Sequence, residues 1–414
     1  MKQPIKVLII GNGFGGVYTL KNLHKLFKHK KRNLEFSMIG EKNYFLFTPL
    51  LHEVAGGGIN PSNIIEPIRK VLGCCLNKFY LNKAENINLN DKTVQIDGNQ
   101  ISYDYLVLAP GAKTNFYDIS GAEQYSFPLK SLTDAINIKN HCISQIERAV
   151  QTLDKEERRR ILRFVVVGGG STGVELVAEL EELIKETFAR YYSNNILKDV
   201  SIMLIQKGTE LVPQLNKKIR QKSLEVLKRK NIEILLESEV KEVTDSFIMI
   251  NKNIKINTET VIWVAGVKPT KLNFTGLIPS SSEDKLIVNE YLQLENHPEV
   301  FAIGDVALFR QKDRFLPNLA QVAEKESKIV AKNIQLSIEG EKLEKFIYRS
   351  SGNLLSLGQW MAVGEVFHFT FSGKIVWWIW RTVYLSKLIS WRKKIRVALD
   401  WTMNLFSARD ISQI

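Results

Sequence analysis

Three cysteines among 414 residues are too few to staple a fold. Cys74 and Cys75 are neighbours and Cys142 stands alone, with no C-x-x-C pair and no zinc-type spacing. Reduced thiols in a cytosolic setting are the expected state. The six histidines, His52 among them, also lack ligand spacing, so no metal is expected. Long apolar runs are missing too: none reaches the ~20 residues that a spanning helix needs. The strand-like "IKVLIIGNG" begins near Ile5 and is expected to leave no room for a signal peptide. With 44% hydrophobic and 24% charged residues, disorder is excluded.

What is present suffices for two or three domains. Lys and Arg number 57 against 44 Asp and Glu, a formal charge of +13. Such an excess serves nucleic acid, an anionic membrane or acidic ligands, and its placement decides which. Much of it lies near the C-terminus, interleaved with tryptophan and bulky aliphatics. That company argues against RNA or DNA.

Two glycine fingerprints organise the rest. "IKVLIIGNGFGGVYTLKNL" runs from strand to glycines to helix, with Gly11, Gly13 and Gly16 as G-x-G-x-x-G. The first glycine permits the turn, the second admits a pyrophosphate, and the third lets helix pack on strand. Free N–H groups at the helix start attract the phosphates. "LEFSMIGEKNY" is the next strand, and Glu41 at its end can bond ribose hydroxyls. The pattern recurs in "RRRILRFVVVGGGSTGVELVAELEELIKE", with Gly168, Gly170 and Gly173 in register 157 residues on. Two dinucleotides, or one duplicated fold, follow. The second helix reads as long, through "LEELIKETFARYY", so the strand "VSIMLI" and Gln206 arrive late. At Gln206 a carboxylate is the usual reader of the ribose.

"PEVFAIGDVAL" sets Asp305 after a strand and a glycine, where it either bonds a flavin's ribityl hydroxyls or caps the next helix. "YDYLVLAPGAKTN" and "TVIWVAGVKPT" are apolar strands whose small ends, at Ala109 to Gly111 and Ala265 to Gly266, suit close passage of backbone beside a cofactor.

In these stretches the chain resembles the two-dinucleotide-binding flavoproteins, and within them the type II NADH:quinone oxidoreductases. "NYFLFTPLLHEVAGGGI", "LVLAPGAKTNF", "FPLKSLTDAI", "FVVVGGGSTGVELVAEL", "VIWVAGVKP" and "VFAIGDVA" match in order, and "LPNLAQVAEKESKIVAKNI" resembles the quinone-site helix. The resemblance implies that Gly11, Gly13, Gly16 and Glu41 hold the ADP half of FAD. Thr48, Ala84, Ala109, Gly111 and Asp305 would line the rest. Gly168, Gly170 and Gly173, with Gln206, Ala265 and Gly266, would hold NAD(P)H. Glu175 would sit beside nicotinamide and flavin as a candidate for proton traffic, or be a plain first-turn carboxylate. Ala320 and Gln321 would flank the flavin ring and the quinone head. Two departures stand out. Lys325 replaces the second glutamine of A-Q-x-A-x-Q, and Gln206 carries no charge. Glutamine keeps an acceptor for ribose, adds a donor, and does not repel a 2′-phosphate, so NADPH use beside NADH is expected.

From Lys374 to Arg396 the sequence "KIVWWIWRTVYLSKLISWRKKIR" holds seven Lys or Arg and no acid, and five of the seven tryptophans lie beyond residue 376. Tryptophan prefers the lipid–water interface, and each cation gains about 1 kcal/mol near anionic lipid. Trp377, Trp378 and Trp380 read as interfacial anchors, and deleting 374–414 is expected to release the protein. In "RKKIRVALDWTMNLF", Ile395, Ala398, Leu399, Leu405 and Phe406 share a stripe. Too short to span, both segments are expected to lie in the interface plane, with a homodimer interface as the other use of the same aromatics.

The expected fold is α/β: two doubly wound Rossmann-like dinucleotide-binding domains, with the NAD(P)H domain inserted in the FAD domain. Residues 1–118 and 267–345 form the FAD part, 119–266 the NAD(P)H part, and 346–414 a short C-terminal membrane-binding helical module. The expected function is transfer of electrons from NAD(P)H through FAD to a membrane quinone, at the cytoplasmic face of the inner (plasma) membrane. An anionic lipid bilayer surface is the expected partner, and proton pumping is not expected. The rivals are a soluble NAD(P)H-dependent reductase of a small iron protein and a membrane-docked flavoprotein that senses redox state. A disulfide reductase or sulfide oxidase is disfavoured, because no cysteine falls near the expected flavin face.

Overall fold

The computed structural model describes residues 3–30, 33–276, 278, 280, 284–312, 314–366 and 369–413. They form two compact units, each assembled from separated stretches of chain. Residues 1–46, 65–113 and 268–349 make the first; 47–64, 114–267 and 350–414 make the second. Residues 47–64 and the C-terminal segment thus share a unit with the second fingerprint.

In the first unit, the strand Ile5–Ile10, with its buried apolar run at 7–10, is paired in parallel on both sides, by Leu34–Gly40 and Tyr105–Leu108. Strands covered on both faces need such continuous apolar runs. The full order is Gln293–Leu294, His297–Ala302, Tyr105–Leu108, Ile5–Ile10, Leu34–Gly40 and Lys78–Leu81. Only Gln293–Leu294 runs antiparallel to its neighbour. The first fingerprint helix, Phe14–Phe27, packs against the helix Ala320–Glu339.

The second unit repeats the plan. Five parallel strands lie in the order Phe127–Pro128, Thr260–Trp263, Arg163–Val167, Ser201–Ile205 and Glu233–Leu235. One face is closed by a core of Val165, Met203, Val261 and Trp263 against an antiparallel sheet whose Ile248 and Ile250 point inward. The second fingerprint helix, Ser171–Glu181, continues through a π-helical turn at Glu182–Thr187 and a tight turn at Phe188–Arg190. That accounts for the late arrival of Gln206.

The C-terminal segment is a three-stranded antiparallel sheet followed by helices Lys374–Lys387 and Trp391–Met403. The first helix looks apolar all round because it has two apolar faces with different fates. Val376, Trp377, Trp380 and Arg381 are buried, while Ile375, Trp378 and Ile379 are exposed. Trp377 and Trp380 are therefore core residues, not interfacial anchors, and of the three named tryptophans only Trp378 is exposed. The Arg381 guanidinium lies 3.6 Å over the Trp377 ring and 4.9 Å from that of Trp401. On the second helix Val397 and Trp401 turn inward, and Trp391, Ile395, Leu399 and Met403 form an exposed stripe at four-residue spacing. Phe406 continues it, whereas Ala398 and Leu405 are half-buried. Deleting 374–414 would thus remove packing from this unit as well as any lipid contact.

Candidate functional site

In the first unit the strand Ile5–Ile10 delivers the chain into a turn that only glycine can make. Gly11 has φ +102°, and a Cβ there would lie 2.0 Å from the Ala109 carbonyl oxygen. A Cβ on Gly16 would meet the Gly11 carbonyl oxygen at 1.8 Å. Gly13 differs: nothing lies within 4 Å of its Cβ position, and it starts the helix with no side-chain cap. Uncapped N–H groups facing open space form an anion cradle. The Asn12 amide fixes the next turn by donating to the carbonyls of Lys42 (2.6 Å) and Tyr44 (2.8 Å). Glu41, just past the strand Leu34–Gly40, is exposed.

The remaining first-unit candidates lie at strand ends and one helix start. Ala84 and Ala109 are buried, and Gly111 has φ +76° with open space beside it. Asp305 sits in a short 3-10 turn whose Gly304 N–H donates to Glu326 Oε2 at 2.7 Å. Burial, with Asp305 beside it, pushes the Glu326 carboxyl up to about 7. Ala320 and Gln321 open the Ala320–Glu339 helix, half-buried, without a side-chain cap. Lys325 donates to the Arg349 carbonyl and lies 5.3 Å over the Tyr348 ring. Its ammonium therefore has a structural tether.

The second unit carries the same backbone device. Gly168 has φ +115°, with its Cβ position 2.6 Å from Ala265 Cα, and a Cβ on Gly173 would meet the Gly168 carbonyl oxygen at 1.8 Å. Gly170 faces open space and starts its helix uncapped. Ala265 and Gly266 follow the strand Thr260–Trp263, and the Gly266 carbonyl accepts the Asn115 N–H at 3.0 Å. Gln206, at the end of Ser201–Ile205, has its amide oxygen on the Gly169 N–H at 2.9 Å. Its NH₂ makes only a long contact, 3.4 Å, to the Glu210 carbonyl. Lys207 is exposed and paired with Glu239 at 2.8 Å.

The second unit also holds a cluster of buried ionisable groups that no sequence spacing announces. Thr48 is exposed at the start of a short turn, and the helix Leu51–Ala55 after it buries both His52 and Glu53. His52 Nδ1 lies 3.8 Å from Glu175 Oε2, and Glu175 Oε1 accepts the Ser356 N–H at 3.2 Å. His52 Nε2 is buried with no hydrogen-bond partner. Burial pushes the Glu175 carboxyl up to about 8, against the pull of the Ser356 N–H, and holds the His52 imidazole down to about 3. At neutral pH the pair is carboxylic acid beside neutral imidazole. Trp401 Nε1 donates to Glu53 Oε2 at 3.1 Å, and burial with Glu179 nearby raises Glu53 well above the carboxylate range. Arg409 ties the C-terminal segment into this cluster, donating to Glu179 Oε2 (2.8 Å), Glu182 Oε2 (2.6 Å) and the Gly56 carbonyl (2.8 Å). Trp380 and Tyr384 stack at 4.5 Å beside His52 and Phe47.

Glu175 was expected from the family resemblance. His52, Glu53, Tyr384 and Arg409 were not. The one sequence signal, for His52 and Glu53, is an ionisable residue inside an otherwise apolar stretch, "LLHEVA"; Arg409, in "FSARDIS", carries none. In the first unit His24, Cys74 and Cys75 also come together, although their spacing predicted no metal site.

A family model of pyridine nucleotide-disulphide oxidoreductases matches residues 5–327. The chain belongs to that family. A model of the NDH2 C-terminal domain matches residues 351–410 and sets the chain among the type II NADH dehydrogenases. A probable NADH dehydrogenase of Dictyostelium discoideum is 30% identical over 98% of this chain and 91% of its own length. The type II NADH:quinone oxidoreductase Ndh of Mycobacterium tuberculosis is 29% identical over 98% and 89%. The structure of NDH2 from Plasmodium falciparum in complex with NADH has the same fold, with TM-score 0.92 at 24% identity, covering 99% of this chain and all of that one. The disulphide chemistry in the family's description has no residues at this chain's first cradle. Cys74 and Cys75 sit by Leu34 and Phe36, at the opposite end of the sheet from the glycines.

Proposed function

We infer that this protein is an FAD-dependent NADH:quinone oxidoreductase carrying out NADH + H⁺ + quinone → NAD⁺ + quinol. The observation that supports it most is the pair of open, uncapped glycine cradles, one per unit, in a chain of this family. Gly11, Gly13, Gly16 and Glu41 suit the ADP half of FAD, with Ala84, Ala109, Gly111 and Asp305 along the remainder. Bound FAD supplies two-electron chemistry, accepting hydride from the nicotinamide and reducing the quinone. Gly168, Gly170 and Gly173 suit the NADH pyrophosphate, with Ala265 and Gly266 at the neighbouring strand end, where the Tyr117 ring packs against Gly266. Gln321 offers a neutral donor and acceptor to a ring carbonyl. Glu175, protonated at neutral pH, can give a proton to a quinone oxygen.

The exposed stripe Trp391, Ile395, Leu399 and Met403, with Ile375, Trp378 and Ile379, supports docking flat on a membrane. Lys374, Lys387, Arg392 and Arg396 are exposed beside it and suit anionic headgroups. Among the described residues no helix is long and apolar enough to cross a bilayer. The placement proposed is the cytoplasmic, NADH-bearing face of the inner (plasma) membrane, without proton pumping. Homodimerisation is a second reading of this region, favoured by the edge strand Phe369–Gly373 with Phe369 and Phe371 exposed. One experiment addresses the whole reading: NADH oxidation by the FAD-loaded protein with a short-chain quinone or a small iron protein as acceptor, with and without anionic vesicles. Turnover with quinone, and loss of vesicle binding but not of soluble turnover in W391S/I395S/L399S, is expected. Turnover with the iron protein alone would overturn the acceptor, and vesicle binding unchanged in the triple variant would overturn the docking face.

A further inference from the structure

The turn after the helix Ile68–Leu72 carries Cys74 and Cys75, and it is held firmly. Cys75 N–H donates to the Leu72 carbonyl at 3.0 Å. Asn77 is bonded to both backbone groups of Phe36, its N–H donating to the Phe36 carbonyl at 2.8 Å and its side-chain oxygen accepting the Phe36 N–H at 2.8 Å. Opposite stands His24, in the last turn of the first fingerprint helix. One nitrogen of its ring and the two sulfurs lie within 4.8 Å of one another, with the sulfurs 3.4 Å apart. All three line a cleft of about 310 Å³, flanked by Phe27, Phe36 and Asn77. Cys74 is exposed and His24 half-buried, so an ion can enter from solvent.

We propose that His24, Cys74 and Cys75 bind a thiophilic divalent cation of the Zn²⁺ class, with water from the cleft in the fourth position. The ligand chemistry selects the ion, because thiolate and imidazole suit Zn²⁺ and exclude Mg²⁺ and Ca²⁺, which take oxygen. The geometry is close to what is needed: two thiolates on one tetrahedral zinc, at Zn–S of about 2.3 Å, lie about 3.8 Å apart. Opening the sulfurs by a few tenths of an ångström is a side-chain adjustment. Binding releases the two thiol protons, and two thiolates with a neutral imidazole balance the ion's charge. Burial and the neighbouring Cys74 thiol push the Cys75 thiol up to about 12, so the ion displaces that proton as it binds. The ion would join the end of the first fingerprint helix to the Ile68–Leu72 turn, away from the glycine cradle. It is a staple on the helix whose other end faces the nucleotide, and it takes no part in electron transfer.

The test uses the full-length, FAD-loaded protein, freed of metal and kept reduced. Titration with Co²⁺ is expected to give the visible bands of a tetrahedral sulfur site, at longer wavelength than the oxidised flavin, and Zn²⁺ should abolish them. Zn²⁺ should also raise the midpoint of thermal unfolding. Loss of outer-shell partners alone weakens a metal site about 10–100-fold, so C74S/C75S and H24Q should each weaken binding by at least that. Flavin content and quinone turnover should hold in both variants, showing that the fold is intact. Bands absent from the reduced wild type, or persisting undiminished in C74S/C75S, would overturn the proposal.

Discussion

The two glycine cradles are almost superimposable in their constraints and unlike in what hangs from them. In each, the third glycine's Cβ position is 1.8 Å from the carbonyl oxygen of the first. The strand ends differ, Glu41 standing free at the surface while Gln206 closes its own loop through Gly169. The helices differ more. Phe14–Phe27 buries Val17, Leu20 and Leu23, whereas Ser171–Glu181 buries Glu175, Glu179 and Glu181 among its apolar residues. One turn conformation therefore shapes an open cradle in both units, and the residues behind it are apolar in the first and include buried carboxyls in the second.

The largest expected effect attacks what the cradles share. Gly11→Ala forces a Cβ onto the Ala109 carbonyl at positive φ, and Gly13→Ala meets no protein atom but puts a methyl into the open space that suits the pyrophosphate; both should lose FAD relative to the wild type. Flavin-to-protein ratios on folded samples decide, and retention equal to the wild type's would mean that the first cradle is not what holds the cofactor.

Next comes what only the second unit has. Glu175→Gln keeps a hydrogen-bonding side chain but removes the proton, and should slow reoxidation of the flavin by quinone by about 10²–10⁴-fold, with reduction by NADH little changed. In the wild type that step should decline above about pH 8 as Glu175 ionises, and the variant should show no such decline. The same raised carboxyl bears on stability. Between 4.5 and about 8 the folded state holds a proton that the unfolded chain has lost, so stability falls as pH rises through that window. Rapid mixing and pH-dependent unfolding of both proteins check the two effects.

Arg409→Ala leaves Glu179 and Glu182 buried without their guanidinium partner, which costs about 3–5 kcal/mol in such sites. Thermal unfolding of the variant should show that loss, and an unchanged midpoint would mean that the C-terminal tie is ornamental. Smallest is the difference at the strand ends. Gln206→Glu can keep the Gly169 hydrogen bond while restoring a negative charge near the ribose, and should lower NADPH efficiency relative to NADH by about tenfold, ~1.4 kcal/mol. Comparing kcat/KM for both donors tests it, and an unchanged ratio would remove Gln206 from ribose recognition.

The amino-acid sequence by itself determined the two parallel sheets and their glycine turns. A steric requirement for glycine at Gly11, Gly16, Gly168 and Gly173 leaves a fixed local spacing, and strands buried on both faces leave unbroken apolar runs such as "FVVV". Glu175 was singled out by the family resemblance of the stretch after the turn, not by the turn's geometry. Tertiary structure alone decided the rest. Whether Trp377 or Trp378 faces solvent depends on which side of an evenly apolar helix meets the core, and no periodicity marks that side. His52, Glu175 and Arg409 lie far apart in the chain, as do His24 and Cys75, and only the folded packing brings them together. Their unusual chemistry comes from lost water and imposed neighbours, which a linear sequence does not contain.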